Sequence, residues 1–211
     1  MNNSVEHAIA EKLLQVEAVK LNPENPFKWA SGWNSPIYCD NRVTLSYPEA
    51  RNEIAENLIT LIKKEFPTVD AIAGVATAGI PQASILADRM GKSLIYVRAK
   101  PKDHGMENLI EGKVQPGQKV VVVEDLISTG GSSLKAVQAL QKQGIEVLGM
   151  VAIFTYGFPI AKHAFEEAGI KLFTLSNYNA LLEVASLKNI LNETQLKSLS
   201  TWRENPSTWK A

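Results

Sequence analysis

The sequence predicts an α/β protein in which helices flank a central, mainly parallel β-sheet. Short runs of β-branched and aliphatic residues, clearest at residues 119–123, indicate strands that are buried on both faces. Segments with helical hydrophobic spacing separate these runs, and such alternation is typical of parallel sheets. The length of 211 residues suits one domain, or one domain with an appendage.

The elements follow one another in a regular order. Hydrophobic spacing and turn residues predict helices over residues 4–19, 48–66, 78–90, 132–143, 159–168 and 193–204. Ser4 suits the N-cap of the first helix, and Pro48 lies in the first turn of the second. Strands are predicted over residues 71–75, 94–97, 119–123, 147–154 and 172–175. The chain then divides into an N-terminal segment (about 1–45), a core (about 48–186) and a helical tail (187–211).

Composition excludes several classes of function. The 22 Lys and Arg residues balance the 22 Asp and Glu residues, which argues against nucleic-acid binding over a whole surface. The single cysteine, Cys39, excludes an intramolecular disulfide framework and a cysteine-rich zinc site. The N-terminus lacks a signal-peptide pattern, and no apolar run approaches the ~18 residues of a membrane span. We therefore expect a soluble cytoplasmic protein with neither nucleic acid nor a membrane as its partner.

The most informative segment lies at residues 120–133, where two acids and a small-residue loop follow four valines. In open parallel sheets, ligands bind beyond the carboxyl ends of the strands. The loop from Ser128 to Ser132 can surround an anion with backbone N–H groups, and the start of the next helix adds the positive end of its dipole. This part of the segment therefore suits a phosphate group.

The adjacent acids, Glu124 and Asp125, suit hydroxyl groups or a cation that bridges to them. A ligand with a phosphate at one end and vicinal hydroxyls nearby is a ribose 5-phosphate. The alternative is a surface turn that is acidic and rich in glycine without binding anything. A Walker-type nucleotide loop is excluded because no Gly-Lys-Ser/Thr sequence is present.

Residues 121–132 resemble the phosphoribosyl pyrophosphate (PRPP) signature of type I phosphoribosyltransferases. The order of elements from residue 69 to residue 175 is also similar to that fold. The resemblance implies a type I phosphoribosyltransferase fold with a small N-terminal hood. It also implies that PRPP is bound by Glu124, Asp125, Leu126, Ile127, Ser128, Thr129, Gly130, Gly131 and Ser132.

A basic stretch at residues 98–105 is either a solvated loop or a mobile lid for a polyanion. It resembles the flexible catalytic loop of orotate phosphoribosyltransferases. The resemblance implies that Arg98, Lys102 and His104 bind the pyrophosphate part of PRPP, with Lys102 as a catalytic residue. It further implies a homodimer, because this loop reaches into the neighbouring subunit's site in that family.

The break at residues 22–36 contains a Ser-Gly-x-x-Ser-Pro turn, which resembles the hood of the same enzymes. A planar anionic pyrimidine needs an aromatic wall and N–H donors. The resemblance implies orotate binding by Ser31, Gly32, Tyr38 and Ser128. The alternative is a structural tight turn against which tryptophans pack.

Four positions depart from the family pattern. Ala30, Ala78 and Ala99 stand where many members have a cation, and residues 155–157 lack an Arg that many members have. The partner of the orotate carboxylate therefore stays open, and more of the pyrophosphate charge falls on the remaining cations and on metal. Lys100 is one position away from the missing loop cation.

Together these resemblances imply an enzyme of pyrimidine (UMP) biosynthesis that transfers the ribosyl 5-phosphate group of PRPP to orotate. Glu124, Asp125 and Lys102 would be its catalytic residues. Mg²⁺ is the expected cofactor, held through the substrate rather than by protein side chains. Two alternatives remain at this point: transfer to another base, or a non-catalytic regulator that senses PRPP on the same fold.

Overall fold

The computed structural model describes residues 3–29, 32–100 and 109–209 of the chain. The chain separates into two compact units. The first unit combines residues 1–51 with residues 176–211, and the second comprises residues 52–175.

The described residues contain the following helices and strands. The α-helices are α1 (Asn3–Gln15), α2 (Pro48–Glu65), α3 (Gly79–Met90), α4 (Gly131–Lys142), α5 (Pro159–Glu167), α6 (Tyr178–Leu187) and α7 (Glu193–Glu204), with a 3-10 helix over Asn41–Ser46. The strands are β1 (Val19–Leu21), β2 (Phe27–Lys28), β3 (Asn34–Ser35), β4 (Ile37–Cys39), β5 (Ala71–Val75), β6 (Ser93–Val97), β7 (Ile110–Glu111), β8 (Lys119–Ile127), β9 (Glu146–Thr155) and β10 (Leu172–Asn177).

The central sheet has six strands in the order β10-β9-β8-β5-β6-β7. The pairs β5–β6, β5–β8 and β8–β9 are parallel, and the short β7 pairs antiparallel to β6. All five residues of β5 are buried, and valines 120–123 of β8 have no exposed surface. The predicted α/β class with a mainly parallel sheet is confirmed, and it follows from these buried apolar runs.

The order of the strands places a ligand crevice beside β8. From β5 the chain proceeds to β6 on one side and later enters β8 on the other side of β5. Strand order therefore reverses between β5 and β8. The loops that leave the carboxyl ends of these two strands flank the reversal, which is where open α/β sheets bind ligands.

The first unit consists of short antiparallel pairs and helices. Strand β1 pairs with β4 and strand β2 pairs with β3, both antiparallel. The side-chain hydroxyl of Ser176 donates a 2.7 Å hydrogen bond to the carbonyl oxygen of Glu6 in α1. No helix among the described residues is long and apolar enough to cross a membrane.

Two predicted details at the N-terminus are wrong. Helix α1 begins at Asn3, so Ser4 lies within the first turn and is not the N-cap. The helix ends at Gln15 rather than at residue 19, because Glu17 adopts a left-handed conformation (φ 57°) and Val19 already pairs in β1. The helical spacing of apolar residues continues past Gln15 in the sequence, but the helical conformation of the backbone ends there.

Candidate active site

Strand β8 carries the two acids, Glu124 and Asp125, in its second half. The predicted strand end at residue 123 is wrong, because β8 continues to Ile127 and pairs with β9 as far as Thr155. Successive side chains on a strand point to opposite faces. Glu124 is accordingly buried, with 7% of its surface exposed, whereas Asp125 is half-buried. The pair therefore presents one deeply enclosed carboxyl group and one more accessible carboxyl group.

The carboxyl group of Glu124 is held by two hydrogen bonds. The hydroxyl of the buried Ser133 donates to Oε2 at 3.1 Å, and the backbone N–H of Asp125 donates to Oε1 at 3.2 Å. Burial, together with the negative charge of Asp125, raises the pKa of Glu124 to about 8. Glu124 is therefore protonated more readily than an exposed glutamate.

The loop after β8 leads directly into helix α4. Its last residue, Gly130, adopts a left-handed conformation (φ 81°), and a Cβ there would lie 2.9 Å from a ring carbon of Phe165. Both constraints require glycine. A Cβ on Gly131, in contrast, would meet nothing within 4 Å. The first N–H groups of α4 have no carbonyl partner within their own helix and border this open space, so they can bind an anion.

The loop is anchored on the sheet at Ile127. The Ile127 side chain is fully buried, and its carbonyl oxygen accepts hydrogen bonds from the N–H of Tyr156 and the hydroxyl of Thr155, both at 3.2 Å. Only the backbone of this residue can meet a ligand. Leu126 is half-buried, while Ser128, Thr129 and Ser132 have exposed or half-exposed side chains.

The loop after β5 approaches β8 closely. A Cβ on Gly79, the first residue of α3, would overlap the carbonyl oxygen of Val123 and lie 3.4 Å from the Cα of Glu124. Only glycine allows helix α3 to begin this near the acids. The backbone N–H of Ala76 donates to Val97 at 2.8 Å, and the peptide bond between Ala76 and Thr77 is cis.

Arg98 joins the two ends of the predicted lid. Its backbone N–H donates to the carbonyl oxygen of Leu109 at 2.8 Å, and its guanidinium lies 3.6 Å from the carboxylate of Glu111 on β7. Residues 101–108 lie outside the described part of the chain, and with them the predicted site residues Lys102 and His104. Ile110, which follows them, is buried at 4% exposure and pairs with β6.

A cavity of about 470 Å³ separates the start of α4 from the carboxyl end of β6. Three cations, Arg98, Lys135 and Lys142, line it together with Ser132 and apolar side chains. This cationic lining suits an anionic group, as does the start of α4.

The predicted hood residues belong to the first unit. Gly32 is exposed and has a φ of 87°, which favours glycine. The Tyr38 ring is 43% exposed, and its centroid lies 5.6 Å from that of Phe27. Ser31 and the neighbouring Ala30 lie outside the described residues.

Two further polar residues support the site without having been predicted. Ser133 holds Glu124, and Thr155 both donates to Ile127 and accepts from the N–H of Gly157 at 3.0 Å. The hydroxyl pair at 132–133 was visible in the sequence, and its second member faces the strand once the helix begins at residue 131. Thr155 occupies the end of β9, where many family members have an Arg nearby. Among the described residues, no group of three or more His, Cys, Asp or Glu side chains is placed to hold a metal ion.

Comparisons with known proteins agree with this site. A model of the phosphoribosyl transferase domain matches residues 46–175, more than half of the chain. The orotate phosphoribosyltransferase of Cytophaga hutchinsonii is 63% identical over 202 residues, which cover 96% of this chain and 97% of that protein. The chain belongs to the phosphoribosyl transferase family and, within it, to the orotate phosphoribosyltransferases.

Solved structures extend the agreement to the fold. The orotate phosphoribosyltransferase of Aeropyrum pernix is similar with a TM-score of 0.76 at 30% identity, covering 85% of this chain and 98% of that one. The Mycobacterium tuberculosis orotate phosphoribosyltransferase, solved in complex with PRPP, is similar with a TM-score of 0.66 at 25% identity, covering 84% and 98%. The predicted type I phosphoribosyltransferase fold is confirmed.

Proposed function

We propose that the acidic pair of β8 and the loop after it hold the ribosyl 5-phosphate of PRPP during orotate phosphoribosyl transfer. This transfer is the activity of the family to which the chain belongs, and the prediction of that activity is confirmed. The bond between ribose C1 and pyrophosphate breaks, and a bond from C1 to orotate forms, giving orotidine 5′-monophosphate and pyrophosphate. The observation that carries the assignment of residues is the buried Glu124 beside Asp125, directly before an anion-binding helix start.

The acidic pair has two tasks in this proposal. Its oxygens bind the ribose hydroxyls, for which the accessible Asp125 and the proton on Glu124 supply both an acceptor and a donor. Positive charge develops on the ribose ring as pyrophosphate departs. A carboxylate fixed nearby, in a place with little water, stabilises this charge more than solvent does. The pair thereby favours the transition state over the bound substrate.

The phosphate end of the substrate lies in the loop from Ser128 to Ser132. Backbone N–H groups at the start of α4 donate to the phosphate oxygens, and the open space at Gly131 leaves room for them. Ser128 sits between the acids and the helix start, so its hydroxyl is placed to contact the base as well. This arrangement fixes C1 relative to orotate, and positioning is a large part of catalysis in such transfers.

Negative charge develops on the pyrophosphate as it leaves C1. Arg98, Lys102 and His104 of the partner subunit's loop neutralise it in the homodimer that the family resemblance implies, with Lys102 as the catalytic cation. Mg²⁺ fits a site of carboxylate and hydroxyl oxygens, which are hard donors. Bound through the oxygens of the substrate, it supplies charge neutralisation. A cytoplasmic location is part of the same proposal.

The hood supplies the orotate site. Gly32 lies in the turn that the resemblance assigns to orotate, and the exposed ring of Tyr38 offers an apolar wall for a planar pyrimidine. Ala30, Ala78 and Ala99 remove cations at three positions. We therefore assign the orotate carboxylate to uncharged hydrogen-bond donors rather than to a cation at these positions.

A direct assay tests this proposal. The purified protein is mixed with PRPP, Mg²⁺ and orotate, and the loss of orotate absorbance is followed, with adenine and uracil as competing bases. Turnover of orotate alone supports the proposal, and faster reaction of another base overturns it. Binding of PRPP without turnover of any base would instead indicate a sensor.

A further inference from the structure

The indole of Trp202 connects the C-terminal helix to the hood. Trp202 lies on α7 and has no exposed surface. Its ring N–H donates a 3.1 Å hydrogen bond to the backbone carbonyl oxygen of Asn34, which is 168 residues away in the sequence. Asn34 belongs to β3, so the tail of the chain binds the backbone of the hood hairpin formed by β2 and β3.

The same indole supports the other side of the hairpin through Trp29. The two tryptophan rings meet edge to face, with centroids 5.4 Å apart and planes 79° apart. The ring N–H of Trp29 donates to the carbonyl oxygen of Ile37 at 3.2 Å. The turn is closed by two backbone hydrogen bonds of 2.9 Å, from Trp29 to Trp33 and from Gly32 to Trp29. The backbone of Trp29 therefore closes the turn, and its ring packs against the ring of Trp202.

Helix α7 is itself firmly attached within the first unit. It begins with a capping box between Asn192 and Gln195, and the amide of Gln195 donates to Glu24 at 2.8 Å. The hydroxyl of Tyr178 donates to the carbonyl oxygen of Leu199 at 3.0 Å, while burial raises the pKa of this phenol. These contacts hold helix α7 in place within the first unit, and Trp202 links the helix to the hairpin.

We propose that Trp202 is a positioning residue for orotate recognition, acting through Asn34 and Trp29 on the turn that carries Gly32. The proposal rests on the assignment of this turn to orotate in the proposed function. Trp202 does not touch the substrate. By contacting Asn34 and Trp29, it fixes the backbone conformation around Gly32 before the ligand arrives, so that binding need not order the turn.

A residue that only fills the core would behave differently. Any aromatic ring of suitable size could replace such a residue. Removing the ring would lower the free energy of unfolding and would affect the KM values for orotate and PRPP alike. The directional N–H bond to Asn34 adds a requirement that packing alone does not. Orotate affinity should depend on that bond, and PRPP affinity should not, because PRPP contacts the second unit.

The experiment compares Trp202→Phe with Trp209→Phe. The first substitution keeps an aromatic ring against Trp29 but removes the N–H donor. Trp209 is a matched control because it is also a buried tryptophan of the C-terminal tail, with 9% exposure. We measure kcat and both KM values, and amide hydrogen exchange at residues 29–35 without substrate.

The expected result has two parts. For Trp202→Phe, the KM for orotate rises about 3- to 10-fold, the range for loss of one buried hydrogen bond, with kcat and the KM for PRPP nearly unchanged. Exchange at the Gly32 amide accelerates in the same variant, and Trp209→Phe shows neither effect. Unchanged exchange, or an equal rise of both KM values, overturns the inference.

Failure of the proposed function gives a different result. If the unmodified protein does not turn over orotate, the proposed function is wrong. If orotate is turned over but exchange accelerates without a rise in its KM, only the role of Trp202 in recognition is wrong. Should Trp202→Phe not fold, benzothienylalanine at this position keeps the size of the indole and replaces only its N–H by sulfur, and the same two readouts decide.

Discussion

The acidic pair on β8 and the hood turn are supported over very different distances along the chain. Glu124 is held by Asp125 and by Ser133, both within nine residues of it. The hood turn depends on Trp202, which is 168 residues from the backbone carbonyl that it binds. The proposed PRPP site is therefore built by a continuous segment, whereas the hood turn is supported by a residue far away in the sequence.

This difference affects what a substitution can do. In the continuous segment, side chains that meet the ligand are also those that shape the loop, so chemistry and structure change together. In the hood, residues that never contact the ligand still set its geometry. Substitutions in the first region should reduce kcat, whereas substitutions around the hood should act mainly on the KM for orotate.

The largest effect is expected from the acids. Glu124→Gln and Asp125→Asn should each lower kcat about 10- to 1000-fold, which corresponds to about 1.4–4 kcal/mol of transition-state stabilisation. Steady-state kinetics measure this. The control is Asp70→Asn: its carboxylate accepts the N–H of Lys119 at 3.0 Å, at the opposite end of β8. Near-normal turnover in both acid variants would contradict their assignment.

The close approach of α3 to β8 gives the next effect. Gly79→Ala places a methyl group into the carbonyl oxygen of Val123, so the helix must move away from the acids. We expect a loss of about 1–3 kcal/mol in the free energy of unfolding, typical of overpacking, with lower activity. Gly131→Ala is the control for stability, because its methyl group meets nothing within 4 Å. Equal denaturation midpoints for the two variants would refute this account.

The pH dependence of stability tests the burial of Glu124. Its pKa rises from 4.5 to about 8 in the folded protein, so between these values the folded state binds more protons than the unfolded state. Rising pH therefore weakens the fold through this group. Glu124→Gln removes the effect, and its thermal midpoint should improve relative to the unmodified protein between about pH 5 and about pH 9. Gly131→Ala changes no charge and should keep a constant offset.

The smallest effect is expected at the tip of the hood. Gly32 and Gly117 both have positive φ (87° and 79°), and a Cβ on either would meet nothing within 4 Å. Alanine at each position should cost about 1 kcal/mol of stability from the backbone conformation alone. Only Gly32→Ala should also raise the KM for orotate, by about 2- to 5-fold, which corresponds to about 0.4–1 kcal/mol. A similar KM for the two variants would remove Gly32 from the orotate site.

How much of the molecule could be predicted depends on the same contrast. The valine run, the acids and the phosphate loop form one continuous segment, so sequence pattern alone located the crevice. The end of β8 was misplaced because acids rarely continue a buried strand, yet here Glu124 pairs with Ala152 and Leu126 with Phe154 on β9. Hydrogen bonds to a neighbouring strand are not visible in a local pattern.

Other elements escaped prediction for reasons that are equally physical. The two-residue strand β7 is too short to show a period, and its order comes from pairing with β6. Helix α6 begins at Tyr178 and is capped by Asn177, whose side chain accepts hydrogen bonds from two N–H groups of the first turn, although this N-cap residue was visible in the sequence. The hydrogen bond from Trp202 to Asn34 joins residues that are 168 positions apart, and no pattern in the sequence around either residue indicates this contact.

The hydrogen bond between Arg98 and Leu109 also affects how the protein tolerates sequence changes in the segment between these two residues. That bond holds Arg98 and Leu109 next to each other beside the sheet. The stability of the fold therefore depends little on the number of residues between them. Doubling the length of a flexible loop costs only about 0.6 kcal/mol in closure entropy. We therefore expect changes in the length or charge of residues 101–108 to affect the proposed reaction more than the free energy of unfolding.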